Sequence, residues 1–179
     1  MILNDKFYMK KILLLFLLLP VFCIAQKIKV ESEVDKFTKK IRIQTSPATI
    51  KSELSAWMEA YYRSAGDSYF ITFHGAGDGV GVIGSYDKII LLLDNDSTVS
   101  LTSTGIQSYD IGYGSKSSSY KHQYYVYYSD LVKISQHNLK SVRKYYSDYY
   151  ADIDVKEKRK ENLKLLTVAF LNELNKNKE

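Results

Sequence analysis

The chain has 179 residues, a formal net charge of +5 and a hydrophobic fraction of 45%, values typical of a folded globular protein. A charge of this size argues against nucleic-acid binding, which calls for a strongly basic surface. The single cysteine excludes an internal disulfide. Tyrosine is unusually frequent at 16 residues, and its preference for strands indicates a sheet-rich fold.

The first 25 residues have the pattern of a secretory signal peptide. Two lysines follow Met9, an apolar run covers residues 12–22, and small residues precede the polar Gln26. The run is too short for a membrane-spanning helix, which needs roughly 20 apolar residues. We therefore predict cleavage between Ala25 and Gln26, so that residues 26–179 form one exported domain, periplasmic or secreted, without a transmembrane anchor. The start codon stays open between Met1 and Met9.

Cys23 raises the alternative of a lipidated lipoprotein. A lipobox places a small residue directly before the cysteine and usually leucine three residues before it, whereas Phe22 and Pro20 stand at these positions. We therefore favour a leader that is removed without lipidation. The mature chain then has no cysteine, and its net charge is +3 because three lysines and one aspartate leave with the leader.

Alternation of apolar and polar residues predicts several strands along the rest of the chain. They cover residues 39–45, 68–74, 88–93, 98–102, 120–128, 139–146 and 151–155. The segment 50–63 also fits helical spacing, and we favour a strand because hairpin-like neighbours follow it. Residues 94–97 indicate a hairpin turn, the serine- and glycine-rich segment 103–119 a long surface loop, and residues 131–137 one or two helical turns.

The last segment has the pattern of an amphipathic helix. Asp154 followed by Glu157 predicts a capping box at its start. Apolar residues at steps of three and four form a stripe that must pack on a sheet face, namely Leu163, Leu166, Phe170 and Leu174. The predicted fold class is therefore α+β, a mainly antiparallel sheet with a C-terminal amphipathic helix. A curled sheet plugged by that helix, as in pleckstrin-homology-like barrels, is one topology that fits the pattern.

Residues 79–84 match the GxGxxG string of dinucleotide-binding proteins. In those proteins the string joins a strand to a helix, because the helix N-terminus binds the pyrophosphate. Here the strand-like segment 88–93 follows instead. We therefore expect a tight or bulged strand connection and no cofactor.

No metal site is predicted. A calcium loop that started at Asp94 would need glycine at its sixth position, where Val99 stands. Three histidines lack the spacing of metal ligands, namely His74, His122 and His137.

The segment 120–128, Tyr-Lys-His-Gln-Tyr-Tyr-Val-Tyr-Tyr, is the most distinctive part of the sequence. As a strand it would carry aromatic rings on both faces. Such a surface stacks on sugar rings or packs against a protein partner, and an aromatic ladder within the sheet is the structural alternative. With the preceding loop, this segment predicts a binding site comprising Tyr109, Asp110, Tyr113, His122, Tyr124 and Tyr128.

Several stretches resemble a group of small exported bacterial proteins of unknown function. They are VDKFT at 34–38, GVIG at 81–84, KIILLLDN at 88–95, VRKYYSD at 142–148 and KEK at 156–158. The resemblance spans most of the chain after the leader and implies one exported domain. It implies no activity, cofactor or catalytic residue.

The sequence favours a non-catalytic domain that binds a protein or glycan of the cell envelope through its tyrosine-rich surface. One alternative is an envelope glycan or peptide hydrolase, with a site near His74, Asp78, Asp110 and His122. A second alternative is a peripheral lipid-binding module, because basic segments include residues 143–146 and 156–160. No catalytic residue, cofactor or nucleic-acid partner is predicted.

Overall fold

The computed structural model describes residues 28–77, 83–84, 86–110, 118–146 and 149–177. Within them the chain forms ten strands, two α-helices and one short 3₁₀ helix. The elements are β1 (Val30–Val34), β2 (Ile41–Thr45), β3 (Ala48–Ser52), β4 (Trp57–Ala65), β5 (Ser68–Ala76), β6 (Lys88–Leu93), β7 (Thr98–Asp110), β8 (Ser119–Val126), α1 (Tyr128–Gln136), β9 (Leu139–Tyr145), β10 (Tyr150–Asp154), the 3₁₀ helix (Glu157–Arg159) and α2 (Asn162–Lys176).

The ten strands form a single antiparallel sheet. Its order is β1-β2-β4-β5-β8-β7-β6-β9-β10, and β3 pairs with β4 outside this path. The sheet stays open, since no pairing joins β1 to β10 among the described strands, and a closed barrel is not formed. The predicted α+β class, a mainly antiparallel sheet with a C-terminal helix, is confirmed.

Helix α2 covers the inner face of this sheet. It packs against β1, β2, β3 and β4 and also reaches β9, so the sheet curls around it. The predicted stripe is confirmed, because all of its members are buried, namely Leu163, Leu166, Phe170 and Leu174. On the sheet side, Tyr62 of β4 stacks on Phe170 with ring centroids 5.0 Å apart. Its hydroxyl lies 2.9 Å from Oγ1 of Thr167, so sheet and helix share a hydrogen bond inside the core.

The predicted capping box does not form. Asp154 still belongs to β10 and pairs with Ser141 of β9. The next residue, Val155, is buried and donates its N–H to the carbonyl of Lys140. Continued pairing with β9 therefore holds the chain extended where the sequence predicts a helix start. Helix α2 begins only at Asn162, and Glu161 at its N-cap makes no side-chain capping hydrogen bond.

The segment 50–63 forms strands, as favoured from the sequence. It comprises the end of β3, the turn 53–56 and most of β4. The residues that suggested helical spacing do not share one buried face, because Ile50, Met58 and Tyr62 are buried whereas Leu54 in the turn is fully exposed.

The predicted loop 103–119 is wrong for its first half. Strand β7 continues to Asp110 and pairs with β8, and residues 111–117 lie outside the described residues. The ladder is irregular between Ser103 and Gln107, where Gly105 adopts a φ of +75°. Glycine tolerates that conformation, so a serine- and glycine-rich segment turns through a bulge and still pairs with its neighbour.

Strand β8 ends earlier than predicted. Tyr127 precedes helix α1, and its N–H donates to the Asp130 carboxylate at 3.3 Å. A carboxylate in the first turn stabilises a helix start, so residues 128–136 form a helix longer than the predicted 131–137.

The junction between β2 and β4 relies on side-chain hydroxyls. Tyr62 N–H donates to Oγ1 of Thr45 at 2.9 Å, and Ile43 N–H donates to Oγ of Ser64 at 2.9 Å. Both hydroxyl-bearing residues are buried. The two strands pair at Gln44 and Arg63, and each hydroxyl satisfies a buried N–H group of a residue next to that pair.

Thr45→Val should destabilise the protein by about 1–3 kcal/mol, because it keeps the side-chain shape but leaves the buried Tyr62 N–H without its acceptor. Urea unfolding measures the free-energy difference. Thr102→Val, on the exposed face of β7, is the matched control and should change stability by less than about 0.5 kcal/mol. Equal stability of the two variants would show that the hydroxyl contributes nothing.

Candidate functional site

Strand β8 separates its side chains into a buried and an exposed set. Tyr120, His122, Tyr124 and Val126 are buried against the core, whereas Lys121 and Tyr125 are exposed and Gln123 is half-buried. The inner tyrosines therefore form the aromatic ladder that the sequence left as the structural alternative. His122 and Tyr124, predicted as binding residues, have no exposed surface. We correct the expectation that these two residues present a face to a partner.

The other predicted site residues are dispersed. Tyr109 is half-buried on the inner face of β7 and touches His122. Asp110 is exposed at the end of β7, on the opposite face, because it lies opposite Ser119 of β8. Tyr128 lies on α1 beside Tyr69. Tyr113 falls outside the described residues.

A set of polar side chains meets inside the curled sheet. We call Gln107, Tyr109, Tyr120, His122 and Lys144 the interior cluster. The Tyr109 hydroxyl donates to Gln107 Oε1 at 2.6 Å and lies 2.9 Å from Nε2 of His122. Because its one proton is directed to Gln107, the Nε2–H of His122 must donate to Tyr109. Burial lowers the pKa of His122 to about 3, so the imidazole is neutral at neutral pH and carries its proton on Nε2.

Burial determines the titration of this cluster. Lys144 on β9 has no exposed surface, and its Nζ lies 3.5 Å from the centre of the Tyr120 ring. Removal from water lowers the pKa of Lys144 to about 7. The pKa of His122 falls to about 3, mainly through burial and secondarily through the charge of Lys144. The aromatic ring offsets part of the desolvation cost of the ammonium.

Sequence reasoning missed Lys144, because a lysine beside Arg143 is usually part of a solvated surface. The available signal was the strand period. Val142, Lys144 and Tyr146 share one face of the segment, and the two apolar or aromatic neighbours indicate the inner side.

The lack of a side chain at Gly75 leaves room for the ring of Tyr120. A Cβ at this position would lie 2.7 Å from the Tyr120 hydroxyl oxygen and 2.5 Å from the carbonyl oxygen of Trp57. Real Cβ contacts are longer, so only glycine lets the Tyr120 ring pack there.

The residues named for a hydrolase do not converge. His74 pairs with Lys121 on the outer face of the sheet, whereas His122 pairs with Phe73 on the inner face. Asp78 lies outside the described residues. A histidine with a pKa near 3 is also a weak base at neutral pH. The geometry therefore gives no support to a catalytic pair formed by these groups.

The other sequence motifs were compared with the structural context that their functions would require. After Gly84, the next element is strand β6, so the GxGxxG string is not followed by the helix that nucleotide binding requires. Within the described ranges, no three histidine, cysteine, aspartate or glutamate residues group as a metal site. No helix in the described part of the chain is long and apolar enough to cross a bilayer.

The outer face of the sheet holds an open groove of about 630 Å³ that crosses several strands. We call it the outer groove. It is lined by Glu31, Ser32, Glu33, Arg42, Ile43, Gln44, Arg63, Ser64, Ala65, Phe70, Ile106 and Gln123. Its volume falls within the roughly 300–1,000 Å³ of small-ligand sites.

Polar side chains in the outer groove are held in place. Arg63 Nε donates to Gln44 Oε1 at 2.8 Å. The Thr104 hydroxyl lies 3.2 Å from the backbone carbonyl oxygen of Gln123 and 3.3 Å from its Oε1, so the two acceptors share its one proton. Each amide NH₂ group thereby keeps its orientation while its oxygen accepts a hydrogen bond. The groove therefore presents ordered donors to a ligand.

Aromatic and apolar groups flank these donors. The Phe70 ring lies 5.4 Å from the ring of Tyr125, and Tyr125 is 48% exposed. Ile106, which is 64% exposed, projects from the irregular part of β7. A ligand with both hydroxyl groups and apolar ring faces would find partners for each.

Comparison of the chain with protein-family models, curated protein sequences and solved structures gave no match. The resemblance to exported bacterial proteins therefore stays an expectation from the sequence.

Lys144→Met should change how stability depends on pH. The pKa of Lys144 is about 7 in the folded protein, against about 10.4 for lysine in an unfolded chain. Between these values the unfolded state binds more protons, so this lysine makes stability rise with pH, by up to about 1.4 kcal/mol per pH unit. The methionine variant lacks that slope. Urea unfolding at several pH values between pH 7 and 10 measures it in both proteins.

The control for this experiment is Lys121→Met, which removes an exposed lysine from the outer face of β8. Its stability should follow the pH dependence of the wild type. If the Lys144→Met curve also runs parallel to that of the wild type, Lys144 is not held in its neutral form.

Proposed function

We propose that this protein is an exported, non-catalytic domain that binds a glycan of the cell envelope in the outer groove. The observation that carries the proposal is that ordered amide and guanidinium donors of the groove lie beside two aromatic rings. Phe70 is half-buried in the groove lining, and the exposed Tyr125 lies next to the groove with its ring 5.4 Å from that of Phe70. Sugar rings offer hydroxyl groups to such donors and apolar C–H faces to aromatic side chains.

The charge of the groove favours a neutral ligand. Two arginines, Arg42 and Arg63, are balanced by two glutamates, Glu31 and Glu33. Arg42 is moreover paired with Asp35 at 2.5 Å, and Glu31 with Lys29 at 2.6 Å. A phosphate-rich ligand would need an excess of positive charge that this groove lacks.

The expected location supports the same assignment. The predicted leader would export the domain, and the cell envelope is rich in polysaccharides that an exported domain meets. The tyrosine-rich segment contributes to the site through its outward face, at Gln123 and Tyr125, rather than through the inward tyrosines.

The double variant Phe70→Ser/Tyr125→Ser should reduce binding to isolated envelope fragments about tenfold, because each lost ring contact is worth roughly 0.5–1.5 kcal/mol. Co-sedimentation of the purified protein with these fragments measures binding. Tyr86→Ser removes an exposed ring outside the groove and should leave binding unchanged. Matched unfolding curves for all three proteins exclude a loss of fold.

Treatment of the envelope fragments with periodate or with protease distinguishes a glycan ligand from a protein ligand. Periodate cleaves sugars that carry vicinal hydroxyl groups, and it should abolish binding, whereas protease treatment should leave binding intact. Binding that is lost after protease and survives periodate would contradict the proposal and indicate a protein ligand. Equal binding by the double variant and by the wild type would show that the outer groove is not the binding site.

A further inference from the structure

The loop between β1 and β2 presents an exposed aromatic ring among exposed lysines. We call residues 35–40 the basic tip. Phe37 is 94% exposed, and Lys36, Lys39 and Lys40 are also exposed. In the described part of the chain, none of these three ammonium groups forms an ion pair. The tip therefore combines an apolar ring with uncompensated positive charge.

The basic tip is ordered by its own hydrogen bonds. Asp35 Oδ1 accepts the N–H groups of Phe37 at 3.0 Å and Thr38 at 2.8 Å. The backbone closes through Asp35 N–H to the Lys40 carbonyl at 2.9 Å. Arg42 compensates the one carboxylate of the tip. The exposure of Phe37 is thus a property of a defined turn, in which Asp35 acts as the structural anchor.

Further exposed tyrosines lie at the same end of the molecule. Lys39 and Lys40 border a groove that is also lined by Leu174 and Asn177 at the end of α2. The Tyr128 hydroxyl donates to Asn175 Oδ1 at 3.4 Å, which brings the start of α1 to this end. Its neighbour Tyr127 is 75% exposed.

We propose that the basic tip binds the surface of an anionic lipid membrane. The three lysines contact lipid phosphates, and the Phe37 ring enters the headgroup region. Lysines near a membrane are attracted to anionic headgroups, and aromatic rings settle at the boundary between headgroups and acyl chains. Charge complementarity therefore selects an anionic lipid surface for this tip. The proposal does not rest on the glycan function, since the tip and the outer groove share no residue.

The shape of the tip favours a membrane over a protein partner. A stable protein interface buries roughly 800 Å² on each side, whereas the basic tip is one six-residue turn with a single projecting ring. A fluid lipid surface closes around such a ring without needing a matching pocket. Binding through one ring and three lysines should be weak and reversible.

The test is co-sedimentation of the purified protein with phosphatidylcholine vesicles that contain about 30 mol% phosphatidylglycerol, an anionic lipid. Pure phosphatidylcholine vesicles serve as the neutral comparison. One variant is Phe37→Ser. The other replaces the tip lysines, Lys36→Gln/Lys39→Gln/Lys40→Gln. Its matched control removes the same charge from exposed positions elsewhere, Lys88→Gln/Lys121→Gln/Lys158→Gln.

The wild type should bind the anionic vesicles, bind the neutral ones weakly, and be released at about 0.5 M salt through screening. Each lysine near the surface contributes roughly fivefold to binding, so the tip-lysine variant should bind at least thirtyfold more weakly. The control triple variant should lose much less. Phe37→Ser should weaken binding about tenfold or more, since a buried phenylalanine ring contributes at least that much. All variants contain the same residues 1–27, so a difference in vesicle binding between them does not come from that segment.

A second measurement tests directly whether the side chain at position 37 enters the lipid. Phe37→Trp should give a blue-shifted fluorescence component on anionic vesicles, beyond the signal of Trp57, the only tryptophan of the wild type. Brominated lipid should quench that component. Three results would overturn the proposal: no binding of the wild type to anionic vesicles, equal losses in both triple variants, or unchanged binding of Phe37→Ser.

Discussion

The packing of helix α2 on the concave face of the sheet is the interaction on which the rest of the structure depends. The helix contacts strands β1 to β4 on one side and β9 on the other, so it spans the curl of the sheet. Its stripe and the inward residues of the strands form one core, with Tyr62 stacked on Phe170 near the centre. Without the helix, its stripe and the inward residues of β1 to β4 that it covers would be open to water. The burial of apolar area, at roughly 25 cal/mol per Å², therefore holds an otherwise open sheet in its curved form.

The same curvature explains the interior cluster. Strands β8 and β9 are separated in the sheet by β7 and β6, yet the curl brings Lys144 over the ring of Tyr120. Polar groups placed on a concave face have little access to water, and they must find partners among themselves. Tyr109, Gln107 and Nε2 of His122 meet this requirement through a chain of hydrogen bonds. Nδ1 of His122 is buried and has no hydrogen-bond partner among the described residues. The lowered pKa values of Lys144 and His122 are the electrostatic consequence of the same enclosure.

The local pattern of apolar and polar residues was sufficient to predict segments that bury one face against the core. Strand β6 has the predicted bounds, and the stripe of α2 is buried as predicted. Pattern failed where pairing with distant strands decided the outcome. The pairing of β10 with β9 prevented the capping box at Asp154, and pairing with β8 turned residues 103–110 into a strand. The predicted site included the buried residues His122 and Tyr124 for the same reason, because no local signal tells which face of β8 points to the core. The strand period indicates that Lys144 points inward, but the complete burial of Lys144 and of Tyr124 depends on how far the sheet curls, which is a property of the whole fold.

The enclosure of the inner face leaves the outer face and the turns as the surfaces that a large partner can reach. The β1–β2 hairpin links the two exposed features, because Glu31, Glu33, Arg42 and Gln44 line the outer groove while Phe37 projects from the turn between them. Antiparallel pairing along the whole of β1 and β2 makes this hairpin one element, with Glu31 opposite Gln44 and Glu33 opposite Arg42. A membrane bound at the tip would therefore fix the position of the groove relative to the lipid surface. The two proposed contacts then act together, since a domain held at a membrane by one turn meets at high local concentration any glycan anchored nearby.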